Sequence, residues 1–440
     1  MGKNDYDDDM VETVMTPGGE LDSRRLEEEY LEAEKGKMNT LQFCVNLMKG
    51  IAGTGSLAIP DAFSKVGIIP SIVLFSIVCC MMIIATYQLL DIHTNMGNRR
   101  ILGLKSIQTS NVYAEMVFNV LGTTGYYLYV VFSLITLYGS NIGSVIAMAG
   151  FLGDMSFFGK SESTRKFWIH IFITVVCIIL CLLKDPSVLV PISTFGLFAI
   201  IASYIVLVIY GMANYKPEFH AADLWPTSPS QLLEKIGIYV YCMGFILFLL
   251  TQYKYIRRDC RKTVVRSTGV SIFLMALIYI ILGIVLSQYY KNSDKGIQEN
   301  IMQSLPAGFK LGTLLNLAMF VTVAGGFPLW MEPINETIER GEVERGQLFI
   351  KSKNIIILRV VEICLIVLVA VLVPSFSTIL SLIGNFTDVL TTFIFPAVMH
   401  IVFFRNRTKT WIIWMDLIVL VISVFIMVIC TSISIKNFMK

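Results

Sequence analysis

From residue 38 onward the chain alternates between long apolar runs and short clusters of charge. The runs cover residues 41–66, 68–92, 113–152, 167–183, 186–210, 236–253, 264–288, 311–331, 355–373, 376–404 and 411–435. A helix rises about 1.5 Å per residue and a hydrocarbon core is about 30 Å thick, so about 20 apolar residues make one crossing. The pattern therefore predicts an all-α integral membrane protein of about eleven transmembrane helices. The run at 113–152 is too long for one perpendicular crossing and too short for two with a loop. It reads as a single long, tilted helix that extends beyond the bilayer.

Composition agrees with the pattern. Hydrophobic residues make up 55% and charged residues 15% of the 440, whereas soluble chains carry about 25% charged residues. There is too little charge to cover a water-facing surface, which excludes a soluble enzyme. The net charge of +3 conceals two opposite regions. Residues 1–37 hold twelve acids against five bases, the composition of a disordered cytoplasmic tail, while the membrane domain at 38–435 is basic.

Those bases are distributed asymmetrically. With the N-terminus in the cytoplasm, inner loops hold 17 Lys and Arg and outer loops hold 10, the bias expected when positive charge stays inside. The cluster Arg257, Arg258, Arg261 and Lys262 reads as a topology-setting inner loop; nucleic acid is not expected as a partner, and the bilayer is. Nine cysteines lack any metal-ligand spacing and read as small core residues. No metal or cofactor is expected.

The segment NLMKGIAGTGSLAIP, residues 46–60, breaks the regularity of the first run. It places Gly50, Gly53 and Gly55 within six residues, ahead of Pro60. Each glycine weakens a helix by up to about 1 kcal/mol relative to alanine, so the helix can open here. Irregular backbone at membrane depth is tolerated where it is buried or lines a cavity. An opened helix presents amides of partial positive charge and carbonyls of partial negative charge, and a zwitterionic amino acid matches both. Close helix packing through small residues is the competing account of the same spacing.

The pattern N-x-x-K-G-x-x-G-x-G-x-L-x-x-P-x-A-F at residues 46–63, followed by Gly67, resembles the first-span signature of the amino acid/auxin permease family. Later landmarks extend the likeness: Pro374, then SLIG at 381–384 and Phe395-Pro396. The resemblance implies a fold like that of bacterial leucine transporters. Residues 41–210 would form one five-helix repeat and 236–404 an inverted second, with 411–435 as an extra helix. Substrate would sit between broken first and sixth spans, and transport would commonly be proton-driven.

Carried over by position, Ile51, Ala52, Gly53, Thr54, Gly55 and Ser56 would hold the charged groups of a substrate. The second break falls at YVYCMGF, residues 239–245, where one glycine and no proline make only a weak interruption. There Tyr241, Cys242, Gly244 and Phe245 would line the side-chain pocket, with Tyr138 and Thr322 as further wall residues. Two departures bear on coupling. Asn46 stands where some proton-coupled members have a histidine, and Thr251-Gln252 where some carry an acid. A sodium site would need first-break carbonyls together with Thr322, which makes sodium the less favoured ion.

Ionisable residues inside spans are functional candidates by default. Asp388 has no base at i±3 or i±4 and is the first candidate for proton coupling; Glu362, with Arg359 at i−3, is the second. Asp61 is expected to pair with Lys65 at i+4, and His170 and His400 are expected to be packing or interfacial groups. The reading that follows is a secondary active transporter of small neutral amino acids, driven by protons, in the plasma membrane or a vacuole- or lysosome-like membrane. Sodium-coupled or facilitated transport is the alternative, and an amino-acid sensor signalling through the tail is an alternative of another class.

Overall fold

The computed structural model describes residues 38–439 other than 98–110, 154, 160, 184–189, 218, 307, 340–352, 374 and 406–409. The acidic tail, Pro374 and several of the basic inner loops lie outside the described residues. All named elements among those described are helical, with no strand; Met38 and Ile256 form an isolated parallel bridge.

Among the described residues ten helices are long and apolar enough to cross a membrane. Residues 40–66 come instead in three shorter pieces: α1 (Thr40–Ile51), a 3-10 turn (Thr54–Ala58) and α2 (Ile59–Val66). Asn39 caps α1 with a reciprocal capping box to Gln42, and Pro60 sits at the start of α2, where its missing N–H is harmless. Then follow α3 (Ile68–Gly97), α4 (Val112–Leu152), α5 (Glu162–Cys181) and α6 (Val190–Asn214). The long α4 bends at Gly122, whose φ of +74° only glycine adopts readily. The ten residues before that bend rise only about 15 Å, which is half a crossing.

The second half starts with α7 (Pro229–Cys242) and α8 (Ile246–Lys254), separated by three residues. It continues through α9 (Val264–Tyr290), α10 (Lys310–Glu339) and α11 (Lys353–Leu372). After α12 (Phe376–Ile383) come two π-helical turns, Gly384–Asp388 and Leu390–Ile394, then α13 (Phe395–Phe403). Pro396 cannot donate to the ladder, and the widened turn precedes it. The chain closes with α14 (Thr410–Phe425), a π turn and α15 (Thr431–Phe438).

Burial orders these helices from centre to rim. In the most apolar 18 residues of Pro229–Leu250, 67% of positions are buried, against 22% in those of Glu162–Cys181 and of Thr410–Asn437. The interrupted α7–α8 pair is therefore central, and α5 and α14 are peripheral. Large apolar side chains such as Trp411, Trp414 and Val421 stand exposed, as expected where the surrounding solvent is lipid. Inside, α10 packs on α4 and α6, α9 covers α1, α2 and α3, and α7 lies against α12. Some interior hydroxyls are satisfied within their own helices: Thr86, Ser203 and Ser271 each donate to the carbonyl four residues back.

Candidate functional site

A cavity of about 400 Å³ opens where both short interruptions meet. Its first wall is the end of α1 and the turn after it. Helix α1 ends because Ala52 leaves helical geometry (ψ +63°), and Gly53 follows in an extended conformation. The Ile51 carbonyl is taken by the buried Tyr279 hydroxyl at 3.0 Å. The Gly53 carbonyl accepts from Ser56 N at 3.2 Å and from Ser56 Oγ at 2.8 Å. Thr54 and Gly55 stand before the first bond of the new turn, so their amides have no partner within it.

The second wall is the gap between α7 and α8. Met243 and Phe245 depart from helical angles, and Gly244 N donates back to Tyr241 O at 3.0 Å. The two walls touch through Gly55: a Cβ there would lie 2.8 Å from the Tyr241 ring and 3.2 Å from the Cys242 sulfur. Only a residue without a side chain lets that ring lie against the first interruption.

The fourteen predicted positions divide between the cavity lining and its surroundings. Ile51, Ala52, Gly53, Thr54, Gly55, Tyr241, Cys242, Gly244, Phe245, Thr322 and Asp388 all line the cavity. Ser56, Tyr138 and Glu362 do not belong to that lining. Ser56 is buried behind the turn it caps. Tyr138 donates to Glu362 at 3.0 Å, and Arg359 reaches the Cys181 carbonyl at 2.6 Å, a polar junction of α4, α5 and α11. Thr322 donates to Ala318 O at 2.8 Å within its own helix.

Asp388 ends the first π turn and is 6% exposed. Among the described residues no hydrogen bond or ion pair reaches its carboxylate. Of the neighbours that could satisfy it, Asn385 donates to Glu234 O and Ser434 and Thr391 donates to Thr387 O, while Thr392 lines the same cavity without bonding to it. An unpartnered buried carboxylate on a cavity wall is costly, and π turns recur at functional sites.

Sequence reasoning passed over several wall residues. Thr136, Ser140 and Ser144 line the cavity from α4; their i, i+4, i+8 spacing in an apolar helix is a legible polar stripe. Trp330 and Gly326 from α10, and Gly196, Leu197 and Ile200 from α6, carry no such signal, because nothing in a single run shows which helix faces it.

The cavity extends to one side only. Its lining continues to Asn46 and Lys49 on α1 and to Phe248 and Gln252 on α8. The ends of those helices farthest from the interruptions are tied together, Met38 N donating to Tyr255 O at 2.9 Å and Arg257 N to Met38 O at 3.0 Å. The opposite side is sealed by a buried polar network. Lys235 pairs with Glu234 at 3.1 Å and donates to Ser377 at 2.6 Å, Ser377 reaches Asp61 at 3.5 Å, and Asp61 pairs with Lys65 at 2.8 Å, as its spacing predicts.

Comparison with known proteins agrees with this geometry. The family model described as transmembrane amino acid transporter protein matches residues 36–436. Amino acid transporter AVT3A of Arabidopsis thaliana is 24% identical over 392 residues, covering 87% of this chain and 86% of its own. Solute carrier family 38 member 10 of Homo sapiens is 22% identical over 402 residues, 86% of this chain but 34% of its own. A Xenopus laevis relative, provisionally named sodium-coupled neutral amino acid transporter 10, is 22% identical over 87% of this chain and 36% of its own. With ten helices fit to cross a membrane and a family match over nearly its whole length, the chain is a multi-pass membrane protein of the transmembrane amino acid transporter family.

Proposed function

We propose that this protein is a secondary active transporter of small neutral amino acids, driven by protons and working by alternating access. The observation that carries the reading is the cavity bounded by both helix interruptions, with Asp388 on its wall. The Thr54 and Gly55 amides suit a substrate carboxylate, and carbonyls at the end of α7 suit its ammonium group. Lys49 and Asp388 are the charged side chains in the described lining, and Lys49 lies toward the open side. The remainder is neutral, which favours a substrate with no charge beyond its backbone groups. In this reading residues 40–66 form a broken first span, giving eleven, and residues 229–254 form the broken sixth. The two five-helix repeats are then 41–210 and 236–404, related by inversion.

The open side faces the cytoplasm if the basic loops do. The sealed network at Asp61, Lys235 and Ser377 would then close the far side, either outside the cell or in the lumen of a vacuole- or lysosome-like compartment. The provisional name of the Xenopus relative supports a second reading in which sodium drives uptake. Purified protein in liposomes, tested with each amino acid under an imposed proton or sodium gradient, decides between them. Accumulation of small neutral amino acids under the proton gradient alone is expected. Accumulation under sodium alone overturns proton coupling, and binding without flux under any gradient overturns transport in favour of sensing.

A further inference from the structure

A second buried polar cluster lies away from the cavity, where α3, α13 and α14 meet. His400 is 1% exposed, and both of its ring nitrogens face carboxylates: Nδ1 is 2.7 Å from Asp416 Oδ2 and Nε2 is 3.3 Å from Asp91 Oδ2. Asp416 is itself 1% exposed and accepts a further bond from Gln88 Nε2 at 2.9 Å. Asp91 also accepts from Asn95 at 2.9 Å. None of the three acidic or basic members lines the cavity. Sequence reading expects His400 to be a packing group. Besides packing on Tyr87 and Phe404, it is the centre of an array of polar contacts spanning three helices, which a search for charge at i±3 and i±4 could not reveal.

A neutral imidazole carries one N–H and one bare nitrogen lone pair. Between two carboxylates, the neutral ring could donate to only one and would turn its lone pair toward the oxygen of the other. An imidazolium donates to both, so the geometry fits the protonated ring. Among the described residues no Lys or Arg forms an ion pair with Asp91 or Asp416. The α3 face presents Tyr87, whose ring centre lies 5.9 Å from that of His400, and Gln88. His93 on α3 packs against Tyr253 of α8 instead. The neighbouring α4 directs Tyr113 to the Thr391 carbonyl and Tyr129 to Phe395. Arg405, beyond the end of α13, is exposed.

We propose that Asp91, His400 and Asp416 form a buried proton-binding site, distinct from the cavity, whose proton fastens α14 to the α3–α13 pair. The proton enters as His400 converts from imidazole to imidazolium, with no other bond made or broken. Asp91 has a 30% exposed side chain, against 1% for each of its partners, so it is the member through which the proton exchanges with the surroundings. Removing the proton leaves two carboxylates facing a bare nitrogen in a dry junction, and the hold on α14 weakens.

The chain has four histidines, which makes a direct test practical and independent of what the cavity carries. The variant His93→Gln/His170→Gln/His220→Gln leaves His400 as the sole imidazole and the triad untouched. Its nitrogen NMR spectrum in detergent at pH 7 should show both ring nitrogens protonated. Adding Asp416→Asn should convert this to one protonated and one bare nitrogen. In otherwise unaltered protein, Asp416→Asn and His400→Gln should each raise amide exchange across residues 410–425 by about tenfold or more, with little change in α9. A bare ring nitrogen at pH 7 with Asp416 present overturns the proton site. Protonation that ignores Asp416→Asn does the same, and unchanged exchange in both single variants overturns the fastening of α14.

Discussion

Asp388 shows how a single residue is placed for chemistry by backbone geometry. It ends a π turn, a local widening of the ladder that displaces the side chains after it relative to an α-helix, and it enters the cavity wall without a hydrogen-bonded partner among the described residues. Two of the polar residues one turn away, Asn385 and Thr391, are directed to other helices and to their own backbone. A carboxylate so placed gains from exchanging a proton or meeting a cation. Asp388→Asn should therefore flatten the dependence of uptake on pH while the protein still folds. Uptake measured in liposomes from pH 5 to 8 checks this, and an unaltered profile would show that Asp388 carries no coupling proton. That Asp388 is a candidate was legible from the absence of a base at helix spacing. That Asn385 and Thr391 leave it alone was not, since each had equal claim to bond it by sequence.

At the scale of elements, the glycine run divides into positions with different duties. Neither Gly50 nor Gly53 has a neighbour that a methyl group would strike, the closest atom to a Cβ at Gly53 being Ile51 O at 3.9 Å. Gly55 is different, because its Cβ would stand 2.8 Å from the Tyr241 ring, closer than carbon atoms normally approach. Gly53→Ala should therefore be mild in this conformation, within about 1 kcal/mol. Gly55→Ala should push Tyr241 into the cavity and reduce uptake by about tenfold or more, with a smaller loss of thermal stability. Uptake and unfolding temperatures of the two variants, measured side by side, check the distinction; equal effects would mean that the Gly55–Tyr241 contact does not shape the site. The first interruption was legible because glycine and proline act through local backbone. The second was faint, since Met243 and Phe245 depart from helical angles without a residue type that demands it. The bend at Gly122 was not legible for a related reason: Gly122 and Gly125 stand in one long run, and nothing local says that only Gly122 takes a positive φ.

For the whole molecule, one side of the cavity is lined toward Asn46 and Gln252 and the other is closed by Asp61, Lys235 and Ser377. Introduced cysteines distinguish the two sides. Gln252→Cys should react with a membrane-impermeant thiol reagent applied from the side of Met38 and Ile256, whereas Ser377→Cys, replacing a residue of 0% exposure, should stay protected from both sides in this conformation. Labelling Ser377→Cys in the absence of substrate, with Gln252→Cys protected, would mean that the closed and open sides are reversed. Breaking a buried charge pair commonly costs several kcal/mol, so the sealed network gives this conformation a specific source of stability.

The sequence by itself determined the solvent, the helical class, the place of the first interruption and the family. Each depends on properties local to one run: its length, its apolarity, its glycines and its motif. Only the tertiary structure decided which runs face one another. It set the hydroxyl stripe of α4 against the two interruptions, closed one side of the cavity with charges from α2 and α7 and a hydroxyl from α12, and placed His400 between Asp91 and Asp416 from two other helices. Those pairings join residues up to several hundred positions apart. In a bundle whose members are nearly uniformly apolar, no periodicity within a single helix says which neighbour it will meet.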